Sequence, residues 1–229
     1  MNIKEKIQNC TYIDFHTHKK TFQNNTFGII NLLINKIQLT IIDKSNLYSV
    51  GLHPWYIKYQ THCIPDIITL LSDSKNFIAV GEIGLDRLIT VPIEKQIEVF
   101  LKQVNIAVSF HKPIIIHCVK AYSDILELFR KYNLLIPAVF HSYNENEHIA
   151  DELLKYNVYF SFGKNLFNHD SKAAKVLKQL DASRVFFETD DADCTIEDIY
   201  KNASEITGRD ESFWINQCKK NFTSFLNYE

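Results

Sequence analysis

Short, continuous apolar runs recur along the chain at 12–15, 27–34, 47–52, 77–80, 113–116, 137–140, 158–162 and 184–187. They do not alternate apolar with polar, and continuous runs of this length are how strands of a parallel sheet covered on both faces read. Between the later runs the apolar spacing is helical. Over 92–111 the residues Ile93, Ile97, Phe100, Leu101, Val104 and Val108 fall on one stripe, and Pro92 suits a first-turn position. Similar patterns occupy 123–132, 145–156, 171–180, 195–206 and 212–226. Strand and helix therefore alternate, which predicts parallel βαβ units. Eight strands predict an α/β fold of the (β/α)8 TIM-barrel type, near the low end of that fold's length.

The front of the chain fits this scheme least well. About ten residues separate the first two runs, too few for a crossover helix. The stretch 35–46 is ambiguous, because QLTIID within it also reads as a strand. A barrel distorted or trimmed in its first βα units is expected.

Composition narrows the class. The chain has 229 residues, 46% of them apolar, with only 6 Gly and 5 Pro. No segment reads as a flexible linker, so one domain over 1–229 is expected. The net charge of -2 announces no basic face for gripping long nucleic acid, although a small active site needs only a few phosphate contacts. The N-terminus lacks an apolar stretch of signal-peptide length, and no run approaches 18 uncharged apolar residues. The five cysteines are scattered and form no C-x-x-C pair, which reads as free thiols in a reducing compartment. A cytoplasmic protein is expected, with no membrane association and no obligate protein partner, acting as a monomer.

The candidate chemistry lies at the ends of the runs. YIDFHTH carries His16 and His18, FIAVGE carries Glu82, PIIIH carries His117, PAVFH carries His141 and VFFETD carries Asp190. In a parallel barrel the C-terminal strand ends open on one face, where active sites are found. Side chains alternate along a strand, so His16 and His18 point the same way and Thr17 away from them. A lone H-x-H pair is commonly a surface pair, and a single strand-end histidine is commonly a hydrogen-bonded core residue. Five strand ends carrying ligand-type residues in one chain do not follow from structural demands alone. Imidazoles combined with carboxylates suit zinc, manganese, iron or nickel.

The motifs DFHTH (14–18), GLHPW (51–55), AVGEIGLD (79–86), KPIIIHC (112–118), FHS (140–142) and FFETD (186–190) together resemble the TatD family of metal-dependent hydrolases, within the amidohydrolase-like superfamily of metal barrels. The resemblance implies a distorted TIM barrel with two divalent metal ions, zinc, manganese or magnesium. It assigns His16, His18, Glu82 and Asp190 to one ion, and Glu82, His117 and His141 to the other. It implies a deoxyribonuclease, often of the 3′–5′ exonuclease type, acting on DNA or another phosphodiester. Two ions in such a set lie about 3.5–4 Å apart and activate a shared water. Asp190 takes that water's proton, so Asp190 and Glu82 are the expected catalytic residues. His53 and Lys120 are the expected substrate contacts, His53 against a capping or core role and Lys120 against a solvated loop lysine. Asp14 is expected to be structural while sharing the face of His16.

Departures from the family pattern lie in the loops. His117 is followed by Cys118, Val119 and Lys120 rather than Ser-Arg-Asp; His141 by Ser142, Tyr143, Asn144 and Glu145, with no glycine; and Asp190 by Asp191, Ala192 and Asp193, with no proline. These loops leave two other readings open: an acyl or amide hydrolase such as a D-aminoacyl-tRNA deacylase, and a metal-binding barrel without catalysis that acts as a partner protein.

Overall fold

A computed structural model describes residues 3–19, 22, 25–34, 43 and 45–226. Eight strands appear: β1 (Tyr12–Thr17), β2 (Thr26–Leu33), β3 (Leu47–Gly51), β4 (Phe77–Asp86), β5 (Ile114–Val119), β6 (Ala138–Phe140), β7 (Val158–Phe162) and β8 (Val185–Phe187). They form one sheet in the order β1 to β8. A parallel bridge between Thr17 and Asp190 sets the segment after β8 beside β1. Strand order and return bridge together are those of a (β/α)8 barrel, as the apolar runs predict. No described helix is long and apolar enough to cross a membrane.

The helices are α1 (Ile3–Asn9), α2 (Ile57–Gln60), α3 (Ile64–Asp73), α4 (Ile93–Ser109), α5 (Tyr122–Tyr132), α6 (Glu147–Leu153), α7 (Lys172–Gln179), α8 (Ile196–Thr207) and α9 (Glu211–Leu226). The last six match the helical spacing read from the sequence. The first three do not, and the reason is local. Helices α1 and α2 are too short to display a period. The α3 segment follows a Thr-His-Cys turn and starts at a proline, its stripe of Ile67, Leu70 and Leu71 being only two turns long. Between β1 and β2 there is no room for a helix, which is the trimmed unit expected. Most of the ambiguous stretch 35–46 lies outside the described residues.

Among these residues packing separates two compact units, one of 3–30 with 141–226, the other of 31–140. The first is stitched by aromatic contacts. Phe15 of β1 stacks on Phe186 of β8 with centroids 4.2 Å apart, and Phe225 of α9 meets it edge-on at 5.2 Å. The fully buried Tyr200 of α8 donates its hydroxyl to the Ile13 carbonyl at 3.1 Å. Thr195 and Asp198 form a capping box at the start of α8, and Gly208 ends it in the left-handed region.

In the second unit β4 corrects the sequence reading. The expected run stops at Val80, whereas the strand continues through GEIGLD to Asp86, buried throughout. Glu82 thus lies within the strand rather than at its end. Glycines and acids dilute the apolar signal there, and the pairing with β5 shifts register between Val80 and Ile83. Gly84, at φ +154°, is required: a Cβ on it would fall 1.9 Å from the His117 carbonyl oxygen.

Helix α4 carries a second correction. Its buried face is Gln96, Val99, Phe100, Gln103, Val104 and Ala107, while Val108 of the expected stripe is 52% exposed. The face is turned because two amides belong to it. Gln103 accepts from the Leu52 N–H at 2.7 Å and donates to the Leu52 carbonyl at 3.1 Å. Gln96 does the same for Asp86, at 2.7 and 2.9 Å. Peptide groups leaving a strand end need partners when buried, and a glutamine offers donor and acceptor together. Pro92 stands just before the first helical residue rather than inside the first turn.

Candidate functional site

The six expected ligands divide between the units. In the first, β1 delivers His16, fully buried, and His18 just beyond the strand. The segment after β8 is zipped between them: the Asp190 N–H donates to the His16 carbonyl at 2.9 Å, and the His18 N–H donates to the Asp190 carbonyl at 3.2 Å. Main-chain pairing therefore places the Asp190 carboxylate against both rings, Oδ1 lying 3.7 Å from His16 Nε2 and 3.4 Å from His18 Nε2. Asp190 takes a left-handed φ of 51°, which acidic and amide side chains tolerate best among non-glycine residues. His141, at the end of β6, sets its ring 4.6 Å from that of His16. Ligand atoms of His16, His141 and Asp190 all lie within 4.8 Å of one another. Two imidazoles and a carboxylate at that separation are a donor set that fits a divalent transition ion.

Two acids support this group. Glu188, completely buried, faces His141 Nδ1 at 3.3 Å and accepts from the Ser142 N–H at 2.7 Å and the Ser142 hydroxyl at 2.8 Å. Burial alone would raise its carboxyl, but the hydrogen bond with His141 and the proximity of His16 hold it below its ordinary value. Glu188 is not among the ligands expected from the sequence, and the structure gives it this partner. The available signal is its spacing of two from Asp190 in an otherwise apolar run. Asp14 accepts from the Thr189 N–H at 2.9 Å and from its hydroxyl at 2.7 Å, and complete burial pushes its carboxyl up to about 7. Its role is structural, as expected. It does not join His16, because β1 shifts register between Asp14 and Thr17 and the carboxylate is committed to Thr189.

In the second unit His117, on β5, brings Nδ1 to 2.7 Å from Glu82 Oε1. His53, just past β3, brings Nε2 to 3.2 Å from the same oxygen. His53, Glu82 and His117 are all buried and meet within 4.8 Å. His53 was expected as a separate substrate contact; the structure sets it in the same cluster as Glu82. It also caps the turn Pro54–Tyr56 by accepting from the Trp55 N–H at 3.2 Å, so the capping alternative holds too. Glu82 is held from behind by Asn31 of β2, whose amide donates to Oε2 at 3.3 Å and whose oxygen accepts from the Glu82 N–H at 3.0 Å. Asp86, two turns of the pleat further along β4, accepts from Trp55 Nε1 at 2.8 Å and lies 3.6 Å from His117 Nε2. Burial would raise that carboxyl, but His117, Trp55 and the Leu88 N–H hold it at about 2. Asn31 and Trp55 as supports are not expected from the sequence, since neither repeats at a ligand-like spacing.

Lys120 is exposed just beyond β5 with φ 54°, and among the described residues no hydrogen bond or ion pair joins it to Glu82 or His117. Arg87 forms a two-pronged pair with Asp124 at 2.7 and 2.6 Å. His62, His111, His148 and His169 are exposed. None of the five cysteines is in a disulfide, and Cys10, Cys118 and Cys218 are buried.

A model of the family described as "TatD related DNase" matches residues 13–227. The chain is 30% identical over 61% of its length to the 3′–5′ RNA nuclease TATDN2 of Homo sapiens, but the match spans only 19% of that protein. It is 28% identical to an uncharacterized metal-dependent hydrolase of Buchnera aphidicola, over 81% of this chain and 74% of the relative. The crystal structure of YJJV, a TatD homolog from Escherichia coli, superposes with a TM-score of 0.84 at 17% identity, covering 96% of this chain and 99% of that one, which establishes the shared fold. With the strand-end residues in place and the family model matched along nearly the whole chain, the protein belongs to the TatD-related DNase family of metal-dependent hydrolases.

Proposed function

We propose that this chain is a nuclease that hydrolyses phosphodiester bonds of nucleic acid with the help of two divalent ions, working as one domain over 1–229, in the cytoplasm and as a monomer. The observation that carries the reading is Asp190 set against both His16 and His18 by main-chain pairing. In this reading His16, His18, Glu82, His117, His141 and Asp190 are the residues that would hold the ions. Bound divalent ions lower the pKa of a coordinated water and stabilise charge developing on phosphate oxygens. The Asp190 carboxylate accepts the proton of the attacking water. Glu82, fixed by Asn31, is the second catalytic residue in this reading. His53 presents Nε2 beside Glu82 to a substrate phosphate, and Lys120 adds a positive charge beyond β5.

DNA is the substrate that the family description suggests, and RNA is the one in the human relative's name. The test is an assay of end-labelled single-stranded DNA, matched RNA and D-aminoacyl-tRNA with Mg²⁺, Mn²⁺ and Zn²⁺. Metal-dependent shortening of a strand from its 3′ end, lost in Glu82→Gln, supports the proposal. Release of the amino acid with both strands intact would replace it with the acyl-hydrolase reading. Absence of Glu82-dependent turnover on every substrate would leave a binding protein.

A further inference from the structure

The chain has two tryptophans, in opposite situations: Trp214 is 1% exposed and Trp55 is 57% exposed. Leaving that much of an indole in water forgoes the burial that favours large aromatic side chains in a core. Trp55 is nevertheless not a loose surface ring. Its indole N–H donates to the buried Asp86 at 2.8 Å, its backbone N–H donates to His53 at 3.2 Å, and its ring stands edge-on 4.8 Å from the ring of His53. The ring is therefore fixed in orientation at the border of the His53–Glu82–His117 cluster, 6.2 Å from the His117 ring, while most of it stays open. Four residues on, in the short helix α2 that follows the 3-10 turn of Trp55, Tyr59 is 70% exposed, with the Lys58 ammonium 5.2 Å from its ring centroid.

We propose that Trp55, continued by Tyr59 and Lys58, is a stacking platform for an unpaired base of single-stranded nucleic acid. The proposal rests on the nuclease reading above and adds the residue on which a base of the strand would rest. Stacking needs a flat ring, exposed and already oriented, so that little conformational freedom is lost when a base lands on it. A cation beside the second ring suits the backbone phosphate that follows. Bases in a duplex have their faces covered and cannot use such a ring. A donor to Asp86 alone would have no need of an indole open to water.

The experiment uses the full chain in two settings. In metal-free protein, tryptophan emission is titrated with short oligothymidylate and oligouridylate. Quenching of the exposed indole is expected, absent in Trp55→Phe, with the buried Trp214 as constant background. Quenching by both strands, or by one only, supports the platform and tells which sugar it accepts. In metal-loaded protein, Trp55→Ala raises KM for a single strand about five- to a hundredfold, leaves KM for an abasic strand unchanged, and Trp55→Phe keeps most of the wild-type KM. No quenching by either strand while cleavage persists overturns the platform and leaves the nuclease reading standing. Equal loss of kcat in Trp55→Phe and Trp55→Ala with unchanged KM also overturns it, reducing Trp55 to the donor for Asp86. Trp55-dependent quenching with no cleavage of any strand upholds the platform and sinks the nuclease reading.

Discussion

Glu188 faces Nδ1 of His141 at 3.3 Å across 47 residues of sequence, while Ser142, the residue next to that histidine, gives the same carboxylate oxygen two further hydrogen bonds. A carboxylate on one ring nitrogen sets the orientation of the imidazole and raises the basicity of the other. Ser142 adopts a left-handed φ of 45° to make both of its bonds, a conformation that costs about 1–3 kcal/mol and persists only when its surroundings hold it. Glu188→Gln keeps the shape and removes the charge. Divalent-metal affinity, measured by calorimetric titration, is expected to fall about 10–100-fold, with the circular dichroism spectrum unchanged. Wild-type affinity in that variant would show that Glu188 does not orient His141.

The bridge that sets Asp190 between His16 and His18 is made of main-chain hydrogen bonds, so its side chain is replaceable without removing them. Asparagine tolerates the left-handed φ as well as aspartate does. Asp190→Asn should therefore fold normally, and single-turnover rates on a labelled strand should drop by about 10²–10⁴-fold. A variant with the wild-type rate would remove Asp190 as the base.

Two glycines with positive φ make a controlled comparison. At Gly208, φ +68°, an added Cβ meets nothing within 4 Å, so Gly208→Ala pays only for backbone strain, about 1 kcal/mol in urea denaturation. At Gly84 the Cβ would sit 1.9 Å from the carbonyl oxygen of His117, a backbone atom that cannot step aside. Gly84→Ala should yield no soluble folded protein. A Gly84→Ala variant as stable as Gly208→Ala would mean that β4 and β5 approach less closely than described.

The thiols offer a pH-dependent check. Burial pushes Cys218 up to about 12, against lowering contributions from the Tyr200 hydroxyl and a backbone hydrogen bond. A raised thiol stays neutral and unreactive as pH rises through 8 and 9, whereas a thiol at its ordinary value ionises there. Burial raises Cys63 and Cys194 as well, but both are partly accessible, so alkylation at pH 8 should label them first and reach Cys218 only on unfolding, as mass spectrometry of tryptic peptides would resolve. Cys218 labelled at the rate of Cys63 would contradict its place beneath β8.

The sequence by itself determined the alternation of strand and helix and the identity of the strand-end residues. Both are local signals. A buried parallel strand must be apolar throughout, an amphipathic helix must repeat near every 3.6 residues, and two side chains on one strand share a face when they are two apart. His16 and His18 were legible for that reason, and Glu82, His117, His141 and Asp190 because polar residues stand out at the end of apolar runs. Only the tertiary structure decided which of these groups meet and what holds them. Glu188 reaches His141, Trp55 reaches Asp86 across 31 residues, and Gln96 and Gln103 turn the face of α4 inward to satisfy strand-end peptides. Such contacts join residues with no shared period, and they exist because a buried polar group must find a partner wherever the fold brings one within reach.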